Sequence, residues 1–111
     1  MKWIDLTSLE QLEEIKQKSN DKAQVIFKHS TRCSISSMAK GRLERSQIPR
    51  EADFYHLDLI RHRDISAKIA QDFNVHHESP QILVIKKGEC IYDDSHYSIN
   101  MEDIEAQIAG Q

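Results

Sequence analysis

Cysteine is scarce in this chain of 111 residues: only Cys33 and Cys90 occur, far apart. Two thiols are too few for a disulfide scaffold and too few for a cysteine-rich zinc site. Glycine (three) and proline (two) are equally thin, so most of the chain is expected in regular elements. No apolar run approaches the ~20 residues of a membrane span. Positive charge is not in excess. Lys plus Arg number 15 against 18 Asp plus Glu, a net charge of −3. That removes the electrostatic case for nucleic acid or an anionic membrane as partner. The opening Met1-Lys2-Trp3-Ile4-Asp5 carries no long apolar stretch, so no secretory signal is expected and the cytoplasm is the expected compartment. Internal repeats and low-complexity tracts are also missing.

What remains is ordinary globular composition, 39% apolar and 30% charged, and a length that fits one domain over 1–111. Trp3 to Leu6 is a short apolar run read as a strand. Thr7 and Glu10 suit a capping box ahead of Leu9, Leu12 and Ile15 at helical spacing, a helix ending near Ser19-Asn20-Asp21. Val25-Ile26-Phe27 reads as a buried strand, followed by the polar loop His29-Ser30-Thr31-Arg32. Cys33 then opens a helix with Ile35, Met38, Ala39 and Leu43 at helical spacing, and Pro49 closes that region. Phe54 to Leu59 is a strand. Asp64 is placed to cap a helix carrying Ile65, Ile69, Ala70 and Phe73, with Asn74 at its end. Pro80 precedes the strand Ile82 to Ile85, a turn at Lys87-Gly88-Glu89, and a short return strand Cys90-Ile91-Tyr92. Asn100 caps a last helix with Ile104 and Ile108 inward. The order β-α-β-α-β-α-β-β-α predicts right-handed crossovers, then an antiparallel hairpin. The result is a three-layer α/β sandwich around a mixed sheet.

Cys33 holds the most informative position. A helix N-terminus offers unpaired N–H groups and positive partial charge, and both favour a thiolate over a thiol. Arg32 adds charge beside it. Ser36, one turn on, is expected to bring its hydroxyl to the Cys33 sulfur. The plain alternative is a small residue capping a helix into the core. It leaves the flanking Thr31-Arg32 and Ser34-Ile35-Ser36 unexplained. Cys90, beyond the turn, is expected far from Cys33 and buried as a small hydrophobe. His76 and His77, ahead of Pro80, are candidates to line a groove or to be a solvated loop. His29 ends the strand leading to Cys33. None of the six histidines forms a metal-ligand pair by spacing. Asp5, Asp58 and Asp64 are all open as a buried acid near the thiol.

Strand, short loop, Cys-x-x-Ser, helix, then Phe73 to Glu89 with Pro80 ahead of an apolar strand and a Gly88 hairpin: this pattern resembles the thioredoxin fold. Within it, Thr31-Arg32-Cys33-Ser34-Ile35-Ser36 resembles the monothiol bacilliredoxin family. The resemblance spans nearly the whole chain. It implies a cis Ser79–Pro80 peptide facing the cysteine, with the Ser79 backbone offered to an extended client. It also implies a cycle without a resolving cysteine, because Ser36 stands where thioredoxin has its second one. Cys33 is then the catalytic nucleophile, with Thr31, Arg32, Ser34, Ile35, Ser36, Ser79 and Pro80 shaping the substrate site. No metal and no tightly bound cofactor are expected. The implied co-substrate is bacillithiol, and the implied partners are bacillithiolated client proteins. Two other readings stay open from the residues: a non-catalytic adaptor that binds proteins at the Pro80 groove, and a glutaredoxin-like protein using another low-molecular-weight thiol.

Overall fold

The computed structural model describes residues 2–47 and 49–110, leaving Met1, Ile48 and Gln111 outside the described residues. Strands β1 (Ile4–Asp5), β2 (Ala23–His29), β3 (Ala52–Asp58), β4 (Gln81–Lys86) and β5 (Glu89–Ser95) form one sheet in the order β1-β3-β2-β4-β5. β1 and β2 pair with β3 in parallel, whereas β2–β4 and β4–β5 are antiparallel. Helices α1 (Leu9–Lys18) and α3 (Arg63–Phe73) cover one face, burying Leu12, Ile15, Ile65 and Ile69 on Ile26, Leu57 and Leu83. Helices α2 (Ser34–Glu44) and α4 (Met101–Ile108) cover the other, burying Ala39, Leu43, Ile104 and Ile108 on Val25, Phe27 and Val84. The predicted element order and the three-layer mixed sheet are what the chain adopts.

The central strand explains the layering. All seven β2 residues are buried, so each face must meet an apolar helix stripe. Odd positions Val25 and Phe27 face α2 and α4, and Ile26 faces α1 and α3. Burying a Leu or Ile side chain contributes about 1.5–3 kcal/mol, and both faces of the sheet draw on that term.

Local chemistry at the element ends differs from expectation in four places. The cap of α1 is Ser8, whose Oγ accepts from Gln11 N; Thr7 lies one residue outside, its N–H bonded to Gln11 Oε1 at 2.9 Å. Asp64 lies inside the first turn of α3, which His62 caps, so its carboxylate complements the helix dipole instead of closing the end. The return strand β5 is seven residues long, because Gln81 to Lys86 offer it a full partner edge. Met38 is exposed: the inward row of α2 is Ser36, Ala39 and Leu43, at i, i+3 and i+7. Asn74 and Asn100 act as expected. Asn74 ends α3 in the left-handed region (φ 53°), and Asn100 Oδ1 accepts from Asp103 N at 2.8 Å.

The β4–β5 turn uses Lys87 (φ 51°) and Gly88 (φ 75°), the double positive φ of a two-residue hairpin loop. Val84 pairs with Tyr92 but Ile85 with Cys90, so Ile91 is the extra residue of a bulge. Two substitutions separate backbone from packing effects. Gly41→Ala in α2 puts a Cβ in ordinary contact with the Arg45 side chain (3.5 Å) and is expected to stabilise by up to about 1 kcal/mol. Gly88→Ala meets nothing within 4 Å, yet should destabilise by about 1 kcal/mol through its positive φ. Thermal melts of the two variants should move in opposite directions.

Candidate active site

Cys33 is the N-cap residue of α2 (φ −110°, ψ 121°), and its side chain makes no capping hydrogen bond. A tight turn sets it there: Cys33 N–H donates to Ser30 O at 3.1 Å, and Cys33 O accepts Ser37 N–H at 3.1 Å. The thiol is half-buried at the edge of the molecule where β2 ends. Thr31, Arg32 and Ser34 around it are exposed, and Ile35 is half-buried.

Ser36 departs from expectation. Its side chain is fully buried and turned inward. Its Oγ accepts Ser30 N–H at 2.9 Å and lies 2.7 Å from His29 Nδ1. No hydrogen bond joins it to the Cys33 thiol among the described residues, because the third position of α2 points to the core and there meets β2. None of Asp5, Asp58 and Asp64 is a buried acid. Asp5 and Asp64 are exposed, and Asp58 is half-buried, accepting Ile60 N–H at 3.2 Å in the following turn.

Two imidazoles lie at this end of the sheet, His29 buried and His56 half-buried. His29 stacks on Phe27 (5.8 Å between ring centroids) and lies 5.2 Å from His56. Trp3 continues the row, 5.6 Å from Phe27, while its Nε1 donates to Glu44 at 2.9 Å. Burial, more than the neighbouring cations, pushes the pKa of His29 and of His56 down. The signal in the sequence was only that His29 ends an apolar strand; which face it takes depends on register.

Pro80 sits on the same edge. The Ser79–Pro80 peptide is cis, Pro80 is buried, and its carbonyl accepts His96 N–H at 3.1 Å. The Ser79 hydroxyl is buried without a partner among the described residues. Gln81 ties the preceding loop down, with Nε2 donating to His76 O at 3.0 Å. His76 is exposed. His77 lines a cleft of about 270 Å³ with Leu59, Arg63, Ser66 and Ala67.

Cys90 belongs to the opposite edge. It pairs with Ile85, whereas the β2 end before Cys33 pairs with Gln81. Four residues of strand are about 13 Å, beyond the reach of a disulfide, about 7 Å between Cα atoms. Cys90 is half-buried rather than fully so. Burial raises its thiol pKa to about 11, and its S–H donates to Tyr92 O at 3.3 Å. Among the described residues, no three His, Cys, Asp or Glu side chains converge as a metal would require, and no helix is long and apolar enough to cross a membrane.

Lys28 is a residue the sequence reading passed over. It is fully buried on β2, and its Nζ has no hydrogen-bond partner among the described residues. Burial lowers its pKa to about 8, and Glu78 acts weakly the other way.

The family model described as "Monothiol bacilliredoxin BrxC" matches residues 4–104. A solved structure of a candidate oxidoreductase with a thioredoxin fold is 34% identical, with a TM-score of 0.82 over 96% of this chain and 92% of that one. Mitochondrial thioredoxin 3 from Saccharomyces cerevisiae (24% identity, TM-score 0.70, 98% and 95% covered) and the thioredoxin of Malassezia sympodialis (22%, 0.72, 97% and 89%) share the fold.

Lys28 yields a stability prediction. The unfolded chain holds that proton up to the ordinary lysine range, while the folded chain releases it near pH 8. Folding is therefore penalised below about pH 8, and the penalty fades as pH rises towards about 10. Lys28→Met should be more stable at pH 7 by about 3 kcal/mol, with the gap closing as pH rises through that window. Urea unfolding of both proteins across the range measures it.

Proposed function

The chain belongs to the monothiol bacilliredoxin family, and on that premise we propose that Cys33 is the single exchanging thiol of an enzyme that removes bacillithiol from client proteins. The family and the fold support thiol–disulfide redox chemistry. The small thiol, the clients and the residue roles are our reading. The observation that carries it is the isolation of Cys33: a half-exposed sulfur on a helix N-terminus, with Ser36 at the place of a resolving thiol and Cys90 on the opposite edge.

The cycle balances without another redox partner. Cys33 thiolate attacks the bacillithiol sulfur of a mixed disulfide. One S–S bond forms on Cys33, one breaks, and the client leaves as a thiolate. A second bacillithiol thiolate then attacks the sulfur held on Cys33, releasing bacillithiol disulfide and regenerating Cys33 thiolate. The exposed helix-end N–H groups of α2 stabilise negative charge at both steps. Ser79 and Pro80 offer backbone to an extended client segment. Thr31, Arg32, Ser34 and Ile35 form the rim, with Arg32 the cation available to a carboxylate of the small thiol. Ser36 acts from beneath, as a buried partner of the loop.

Intact-mass spectrometry tests this reading. Reduced protein is mixed with a bacillithiolated client, quenched with acid, and compared with Cys33→Ser and Cys90→Ser. A bacillithiol-sized adduct is expected on the wild type and on Cys90→Ser, absent from Cys33→Ser, and cleared by added bacillithiol. An unmodified protein beside a still-modified client would replace the enzyme by a binding adaptor. Equal turnover of a glutathionylated client would remove bacillithiol specificity and leave the exchange chemistry.

A further inference from the structure

The exchange cycle above gives no task to the cleft of about 270 Å³ lined by Leu59, Arg63, Ser66, Ala67 and His77. Three of these come from α3, where residues three and four positions apart share one face, so Arg63, Ser66 and Ala67 stand together. Leu59 follows β3, and His77 belongs to the loop ahead of the cis peptide. The cleft adjoins the edge that carries the thiol: Leu59 N–H donates to His29 O at 3.0 Å, and Cys33 N–H to Ser30 O at 3.1 Å. Ser66 is buried, and its hydroxyl lies 3.4 Å from His77 Nδ1. When that hydroxyl donates, the uncharged ring carries its hydrogen on Nε2, as a donor. Arg63 is exposed and forms no ion pair among the described residues.

Beneath the same helix lies a charge without a counter-ion. Lys28 pairs with Leu57 and Gln81 across the sheet, and Leu57 belongs to the core that α1 and α3 cover. Directly opposite residues share a face, so Lys28 is on the α3 side as well. Its Nζ is buried with no hydrogen-bond partner among the described residues. Its charge acts on His77, and Glu78 is the acid that acts on it. Glu78 is itself drawn to His96, at 3.7 Å. An interior cation without a partner costs stability, and an anion bound close by offsets that cost. Two donors, a positive field and the apolar Leu59 and Ala67 suit one chemical group, a carboxylate on a short hydrocarbon stem.

We propose that this cleft is a carboxylate subsite, taking the malyl end of bacillithiol while the bacillithiol sulfur is exchanged at Cys33. The inference rests on the exchange reading. Bacillithiol carries two carboxylates on a short malyl stem, at the end of the molecule away from its sulfur. Arg63 and His77 are the contacting donors. Leu59 and Ala67 meet the stem, and Ser66 holds the His77 tautomer. Lys28 acts at a distance, through an interior that screens charge poorly.

Malate itself is the first probe, titrated at fixed ionic strength into the reduced protein and followed by amide NMR. Saturable shifts are expected at Leu59, Arg63, Ser66, Ala67 and His77, and none with dimethyl malate. Binding should weaken several-fold in Arg63→Met and in Lys28→Met, the second of which is expected to fold more stably than the wild type. Arg50→Met, at the far end of the sheet, should bind as the wild type does. The subsite is overturned by an absence of saturable shifts in the cleft, by equal shifts with the ester or with sulfate, or by full affinity in either cleft variant. A second arm loads Cys33 on a Cys90→Ser background from bacillithiol disulfide and, separately, from bis(2-hydroxyethyl) disulfide, which has no carboxylate. Adduct mass is read against time. The ratio of the first rate to the second should fall several-fold in Arg63→Met, and an unchanged ratio overturns the assignment to the small thiol. If the assay with a bacillithiolated client fails while malate still fills the cleft, the exchange reading falls and the carboxylate subsite stands.

Discussion

Water reaches neither face of β2, and that exclusion governs the rest of the molecule. Each polar group on the strand must find its partner indoors or lower its charge. Gln24 does the first, accepting from Tyr55 Oη at 2.7 Å and donating to Asp53 at 2.9 Å. Lys28 does neither at neutral pH: its Nζ has no partner among the described residues, and burial lowers its pKa only to about 8, so the charge persists there at a cost. His29 does both, meeting Ser36 and staying uncharged. The same burial makes the strand a rigid arm. Its end delivers Ser30 to α2 and Leu59 N–H to the His29 carbonyl at 3.0 Å, so the Cys33 turn stands on the best-packed part of the fold.

Much of this could be read from the residues. Val25 to Phe27 and Ile82 to Ile85 are short, continuous apolar runs, the mark of strands covered on both faces, and the helix rows at Leu12, Ile65 and Ile104 have the right period. The ends were harder. Thr7 and Ser8 are both competent caps, and only the register of Leu12 and Ile15 against the sheet chooses between them. Met38 fits a helical row as well as Ala39 does, but a hydrophobe at the margin of an apolar stripe can be left in solvent. Within the site, the placement of Cys33 followed from chain order. The inward turn of Ser36 did not, since a helical period says which residues share a face and not which polar side chain the sheet will engage. His29 and Lys28 are adjacent polar residues in a strand, and distant pairing partners, Leu57 and Gln81 for Lys28 and Asp58 for His29, decide what each of them meets.

The two thiols show how environment divides one chemistry. Cys33 rests on a turn at a helix start with solvent beside it. Cys90 lies among apolar side chains where a charge is disfavoured and its proton is held up to about 11. Separation along β4 keeps them apart. Neither thiol has an internal disulfide partner within reach, in keeping with membership of a monothiol family.

The bulge at Ile91 reaches beyond the hairpin that contains it. β5 is the outer strand on its side of the sheet, and an outer strand of seven residues is a surface on which a second chain can build. Here the extra residue breaks the regular spacing of outward N–H and C=O groups, and Glu89, Asp93 and Asp94 line the strand with one sign of charge. Two such rims brought together would mismatch in spacing and repel. The mismatch limits strand-to-strand association along the longer rim of the sheet.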